Sequence, residues 1–226
     1  EVLTPDRPHG DEFIEHIKGL GPELSVVVAY GHILKREVLD LPSRGSINVH
    51  ASLLPQLRGA APVNWAIIRG HGQTGVTVMR MTEAMDAGPI IHQRSEPILD
   101  EDNASELMSR LSDLGAVALR EALEFLTHGN PEEREQVEDA VSYAPKVDRQ
   151  TARIDWTLPA SEVSLFIRGM DAVPGAGSEL AGMPGKLFRP SPVPELESPQ
   201  AGAQTSAEIL SPGTVVGADL EHGLVI

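Results

Sequence analysis

The apolar positions of this chain fall into helical, continuous and alternating patterns. Phe13, Ile14, Ile17 and Leu20 recur at helical spacing and stop before Gly21-Pro22, which predicts a helix over 11–20. Residues 24–29 (LSVVVA) form an unbroken, largely β-branched run, the pattern of a strand buried on both faces. A second short strand is expected over 47–50, followed by a proline-stiffened loop over 52–62. Pro62 then suits the first position of a helix that Gly70 ends. Residues 75–81 (GVTVMRM) alternate as a strand does, and 89–92 extend the sheet. The strongest helix pattern lies over 103–128. There Leu107, Leu111, Leu114, Ala118, Ala122 and Phe125 hold one face, Asn103 and Glu106 are spaced as a capping box, and Gly129 follows. Strands alternating with helices predict an α/β domain with a mainly parallel sheet, ending near Ala144 to Lys146. Beyond it, a helix over 160–170 precedes Gly- and Pro-punctuated runs that suit a small β domain. Residues 190–213, rich in Pro, Ser, Ala, Gln and Glu, are expected to form a mobile loop.

Composition narrows the chemistry. With 226 residues and 41% hydrophobic positions the chain can bury a core, and no apolar run approaches the roughly 18 residues a membrane span needs. It has no cysteine, which removes disulfides, thiolate metal sites and cysteine nucleophiles, and a reducing, cytoplasmic compartment is expected. The net charge is −15, with 33 acids against 18 bases, so the global field repels phosphate backbones unless a local basic patch overrides it. Only Lys18, Lys35, Lys146 and Lys186 are lysines. An acid-rich, lysine-poor surface fits either a protein adapted to high salt or an ordinary acidic bacterial one.

Three motifs bear on function. Gly70-His71-Gly72-Gln73-Thr74-Gly75 matches the dinucleotide pattern G-x-G-x-x-G, but a helix precedes it and a strand follows, the reverse of what phosphate binding needs; it reads as a turn. Asn48 and His50 lie two apart on a strand, so both face one way, at the C-terminal end where open α/β sheets bind ligands. An amide donor beside a titratable ring can bind an oxyanion and move a proton, although spacing alone favours a polar pair closing a strand. Asp86, in the turn Met85-Asp86-Ala87-Gly88-Pro89, is either a carboxylate partner for an imidazole or a turn cap. Arg58 is either a clamp on backbone carbonyls or a ligand contact. A metal site of His50, His92 and Asp86 is not recommended by their spacing.

The run Asn48-Val-His50-Ala-Ser52-Leu53-Leu54-Pro55-Gln-Leu-Arg58-Gly59-Ala-Ala-Pro62 resembles the N-x-H…SLLPxxRG signature of the 10-formyltetrahydrofolate-dependent formyltransferases, and Asp86 falls in their D-x-G turn. Residues 29–34 (AYGHIL), RGAAPxxW and TGVTVMRM are most similar to the members that act on initiator methionyl-tRNA. The resemblance implies a Rossmann-like catalytic domain, partial, over 1–146, and a barrel-like C-terminal domain, also partial, over 147–226. It implies that Tyr30, Gly31, His32, Ile33 and Leu34, with Met85, Ala87 and Gly88, line a pterin pocket, and that Ser52, Leu53, Leu54 and Pro55 contribute to folate binding. Asn48 and a protonated His50 would stabilise the tetrahedral oxyanion, Asp86 would pair with His50 and relay the proton, and Arg58 would meet the acceptor. The donor would be 10-formyltetrahydrofolate as co-substrate, with no metal and no membrane, in a monomer.

The chain departs from the family pattern in several places. The opening strands are missing, so a chain truncated at both ends is expected. His32 stands where glutamine is more common, and Gly177 where an aromatic residue is. Residues 151–226 carry four bases (Arg153, Arg168, Lys186 and Arg189) against nine acids, a poor footprint for tRNA unless a few arginines form a local track. The resemblance also admits an amino-sugar-nucleotide formyltransferase, a 10-formyltetrahydrofolate hydrolase or an inactive folate-binding fragment.

Overall fold

The computed structural model describes residues 2–5, 8–129, 132–180, 182–191, 211–215, 217–219 and 223–226. Most of the mobile loop expected over 190–213 therefore lies outside the described residues. Helix α1 (Asp11–Leu20) ends on Gly21, whose left-handed backbone (φ 57°) closes the helix by returning its N–H to the Lys18 carbonyl. It leads into β1 (Ser25–Val28), the short helix α2 (Arg36–Leu39) and β2 (Ser46–His50). Helix α3 (Pro62–Ile68) starts on its proline, and β3 (Gln73–Arg80) and β4 (Ile90–Pro97) follow. Helix α4 (Ala104–His128) carries the expected capping box: Asn103 accepts from the Glu106 N–H at 2.9 Å, and Glu106 accepts from the Asn103 N–H at 3.1 Å.

The four strands lie in the order β1-β2-β3-β4. The α/β, Rossmann-like plan is present, but among the described strands the sheet is mixed: β1 and β2 are parallel, whereas β2–β3 and β3–β4 are antiparallel. The β3–β4 connection is a nine-residue turn (81–89), too short for a parallel crossover.

One face of the sheet holds the main core. Ile47, Val76 and Val78 pack with Val63 and Ile67 of α3 and with Leu107, Leu111, Ala118 and Ala122 of α4. A Cβ on Gly115 would lie 3.4 Å from Val49, so α4 rides close to the strands. Among the described residues, the stretch 24–29 is not buried on both faces as expected. β1 ends the sheet among the described strands, and Val26 and Val28 alternate outward, Val28 being 56% exposed.

The second domain contributes α5 (Ala160–Met170) and two antiparallel hairpins, β5 (Ala176–Leu180) with β6 (Met183–Leu187) and β7 (Gly217–Asp219) with β8 (Gly223–Val225). Helix α5 docks on α3 at Gly169, where a Cβ would meet Ile68 and the Asn64 carbonyl at 2.4 and 2.9 Å; the Asn64 amide donates to the Gly169 carbonyl at 2.7 Å. Arg168 is spent at this junction, donating to the backbone carbonyls of Leu99, Asp100 and Asp102, which removes it from any free basic track. No described helix is long and apolar enough to cross a membrane.

Candidate active site

The face opposite α4 carries the polar residues. Cross-strand pairing puts Asn48 beside Met79 and His50 beside Thr77, which in turn faces Gln93. Loops rather than helices cover this row. The loop 51–61 leaves β2 and is tied to β3, β4 and downstream segments along most of its length. Thr77 Oγ1, fully buried, donates to the Ser52 carbonyl at 2.7 Å and accepts from the Leu54 N–H and from Gln93 Nε2 at 3.1 and 2.8 Å. Ser52 Oγ donates to the Gln56 carbonyl at 2.6 Å. A strap from the interdomain segment closes over the loop: the Arg58 N–H donates to Ser142 O, and the Ala144 N–H donates to Arg58 O, at 2.8 and 2.7 Å. At Gly59 (φ 123°) an added Cβ would meet the Ala144 carbonyl at 2.6 Å, which is why glycine follows the arginine there.

This anchoring orients the imidazole. Leu57 is held at φ 61°, a left-handed conformation that costs a non-glycine residue about 1–2 kcal/mol, and its carbonyl lies 2.9 Å from His50 Nε2. A carbonyl can only accept, so Nε2 carries a hydrogen and Nδ1 is the atom at which His50 gains or loses a proton. Nδ1 lies 3.7 Å from Asp86 Oδ2. The register puts Arg80, not Asp86, at the start of the turn beside Ile47, so the 81–89 turn folds back across the sheet to deliver its carboxylate. Asp86 is itself left-handed (φ 51°), and its Oδ2 accepts the Gly59 N–H at 2.8 Å. Asn48 is half-buried, and among the described residues its side-chain amide has no hydrogen-bond partner.

Asn48, His50 and Asp86, spaced over 39 positions, are thus brought onto one patch. The other expected residues are placed differently. Ser52 and Leu54 are buried and hold the loop, while Leu53 and Pro55 are half-buried and Met85 is exposed. Ala87 is half-buried and Gly88 buried, a Cβ on the latter colliding with the Arg80 carbonyl. Tyr30 and Leu34 line an apolar groove of about 360 Å³ along β1 and α1, with Phe13 and Ile17, that does not include Asn48, His50 or Asp86. Gly31 and His32 are exposed, and Ile33 is 86% exposed. Arg58 corrects its expected role. It is 4% exposed, donating from Nε to Gln136 Oε1 at 2.9 Å and from its terminal nitrogen to Glu138 at 3.1 Å, so its guanidinium is not presented to an acceptor. His92 lies on the opposite face, against α4, where it and Arg94 pair with Glu121; Arg94 chiefly, then His92, holds that carboxyl down at about 2. No group of three or more metal-ligating side chains forms among the described residues. Gln136 and Gln93 are single polar residues outside any motif, and Thr77 lies inside the TGVTVMRM run without a signal that marks it as a site residue.

Residues 1–123 match the Formyl transferase family and residues 146–226 match the Formyl transferase, C-terminal domain family. The chain belongs to the formyl transferase family. It is 45% identical over 188 residues to a methionyl-tRNA formyltransferase of Pelobacter propionicus, covering 83% of this chain and 59% of that protein. It is 38% identical over 225 residues to the methionyl-tRNA formyltransferase of Bacillus pumilus, covering 100% of this chain and 70% of the relative. The chain thus spans about 60% of the length of the first relatives it matches. A crystal structure of HypX from Aquifex aeolicus in complex with tetrahydrofolic acid shares the fold, with a TM-score of 0.70 over 91% of this chain and 34% of that one at 23% identity.

Proposed function

We propose that this chain carries the catalytic apparatus for moving a formyl group from 10-formyltetrahydrofolate to the free amino group of initiator methionyl-tRNA. The observation that carries the reading is the convergence of the unpartnered Asn48 amide, His50 Nδ1 and the Asp86 carboxylate on one patch. The names of the relatives supply the acceptor. In this reading the amine nitrogen attacks the formyl carbon, and the carbonyl oxygen becomes an oxyanion that Asn48 Nδ2 stabilises. One such donor contributes on the order of 10²–10³ in rate. The proton leaving the amine passes by way of His50 Nδ1 and Asp86 to N10 as the carbon–N10 bond breaks, giving the formylated amine and tetrahydrofolate. No step calls for a metal. The segment 29–34 and the 85–88 turn are proposed to meet the pterin, and the loop 52–55 to shape the folate side through its backbone. Arg58 acts here through the loop rather than by touching the acceptor. A translation enzyme of this kind works in the cytoplasm.

The test offers the full-length protein 10-formyltetrahydrofolate with charged initiator tRNA, with an amino-sugar nucleotide, or with water alone. Transfer to the tRNA should be fastest. Formate release outrunning transfer would replace the reading with a hydrolase, and faster sugar formylation would replace it with a sugar-directed enzyme.

A further inference from the structure

The turn that carries Asp86 is held from a distance. Gln136, buried and 50 residues downstream, donates both hydrogens of its side-chain amide, one to the Asp86 carbonyl and one to the Gly88 carbonyl, each at 2.8 Å. Its Oε1 is fixed by Arg58 Nε at 2.9 Å, and Arg58 is itself gripped at both its N–H and its carbonyl by the strap at Ser142 and Ala144. The same strap pairs with the start of β4, where Arg134 and Ile90 exchange backbone hydrogen bonds at 2.8 and 2.9 Å. The amide thus bridges the carbonyl of the left-handed Asp86 and that of Gly88 two residues on, while its acceptor is locked by a buried cation; rotating it would break three hydrogen bonds at once.

We propose that Gln136, oriented by Arg58, is a positioning residue that holds the 85–88 turn so that the Asp86 carboxylate faces His50 Nδ1. The role rests on the formyl-transfer reading given above. It makes the link between the domains part of the catalytic support, since the strap enters the second domain just after closing over the site. Gln136 touches no reacting atom; it acts through Asp86, as a side chain supporting a preorganised site does.

The Gly59 amide, which donates to Asp86 Oδ2, reports the carboxylate's placement without any substrate. In the full-length protein, Gln136→Met keeps the volume and removes both donors. Hydrogen exchange at Gly59 should quicken by about tenfold or more while the amides of α4 keep their protection. The kcat for formyl transfer should fall by about tenfold or more with the KM for the folate donor nearly unchanged. Added to Asp86→Asn, which by itself should cost at least ~10²-fold, Gln136→Met should slow transfer no further. Gln136→Glu keeps an acceptor for Arg58 and lacks N–H donors, so it should reproduce both effects and stands in if Gln136→Met fails to fold. Unchanged Gly59 exchange, or losses that multiply in the double variant, would overturn the positioning role. Wild-type turnover in Asp86→Asn would instead overturn the formyl-transfer reading of Asp86, and quickened Gly59 exchange would still support Gln136 as the residue that places it.

Discussion

Two loops leave the same end of the sheet, because β1 and β2 are parallel with Val28 opposite Val49, and they are built in opposite ways. The loop after β2 is tied by Thr77, Gln93, Ser142 and the strap, and its core residues Ser52, Leu54, Leu57 and Arg58 are all buried. In the loop after β1, Tyr30 rests against the His32 ring at 5.4 Å, and Ile33 stands in solvent. The groups proposed to move a proton depend on the tied loop, where a displacement of an ångström costs rate. Of the residues that the family resemblance assigns to ring contacts, Tyr30 to Leu34 lie on the open loop, where apolar contact tolerates adjustment, whereas the 85–88 turn is held by Gln136. In the proposed reading, the groups that need direction are thus preorganised, and the 29–34 side of the ring contact is not.

Removing one tie should break this contrast most sharply. Thr77→Val keeps the shape but leaves the Leu54 N–H and the Ser52 carbonyl buried without their partner, a loss of about 3 kcal/mol. For a chain of this size that lowers the melting temperature by roughly 6–12 °C. Ile33→Ser on the open loop should stay within about 0.5 kcal/mol of wild type. Calorimetry on the two variants checks both; equal melting temperatures would mean that the tied loop contributes nothing beyond the open one.

How far the sequence foretold this arrangement depended on whether the cause was local. The capping box of α4, Pro62 at the start of α3 and the shared face of Asn48 and His50 follow from spacings of a few residues, and all three are present. The 0% exposure of Thr77 and the burial of Gln136 arise from pairings 25 and 50 positions away, which no periodicity encodes. Spacing leaves Arg58 between a clamp on backbone carbonyls and a ligand contact; the folded chain brings Gln136 and Glu138 near as its side-chain acceptors. Arg168 was drawn inward by three carbonyls in the same way. The run after Leu24 has the composition of a central strand, and only the sheet order shows that among the described strands it is the outermost.

Acid should separate the tied loop from the domain junction. Asp102 is buried, and its carboxyl lies below the usual range, chiefly because Arg110 forms a two-pronged hydrogen bond with it at 2.6 and 2.7 Å. A carboxyl lowered on folding adds stability above its unfolded pKa, near 4, and that contribution disappears as pH falls through the lower folded value. Asp102 shapes the 97–103 turn onto which Arg168 docks, whereas the ties of loop 51–61 formed by Thr77, Ser52 and Ser142 do not titrate. Below pH 4, hydrogen exchange should therefore quicken at the 99–103 and 168–172 amides before it quickens at 52–58. Asp102→Asn should lower the melting temperature at pH 7 by roughly 2–8 °C, an effect of about 1–2 kcal/mol, and the difference should shrink toward pH 3. A constant difference across that range would remove Asp102 from the acid response.

Salt provides the mildest probe. The −15 charge repels itself over distances that salt screens to about 10 Å at 0.1 M and about 3 Å at 1 M, so the folded state should gain stability as salt rises. The melting temperature should climb by a few degrees between those limits, and a flat or falling curve would count against adaptation to high salt. The hydrogen bonds around Thr77 are short, buried and uncharged, and screening acts on none of them. The gap in melting temperature between wild type and Thr77→Val should therefore stay constant along the salt series while both values rise. A gap that narrowed with salt would show that the loop is held by the field of the surface rather than by its own contacts, and the contrast between the two loops would lose its basis.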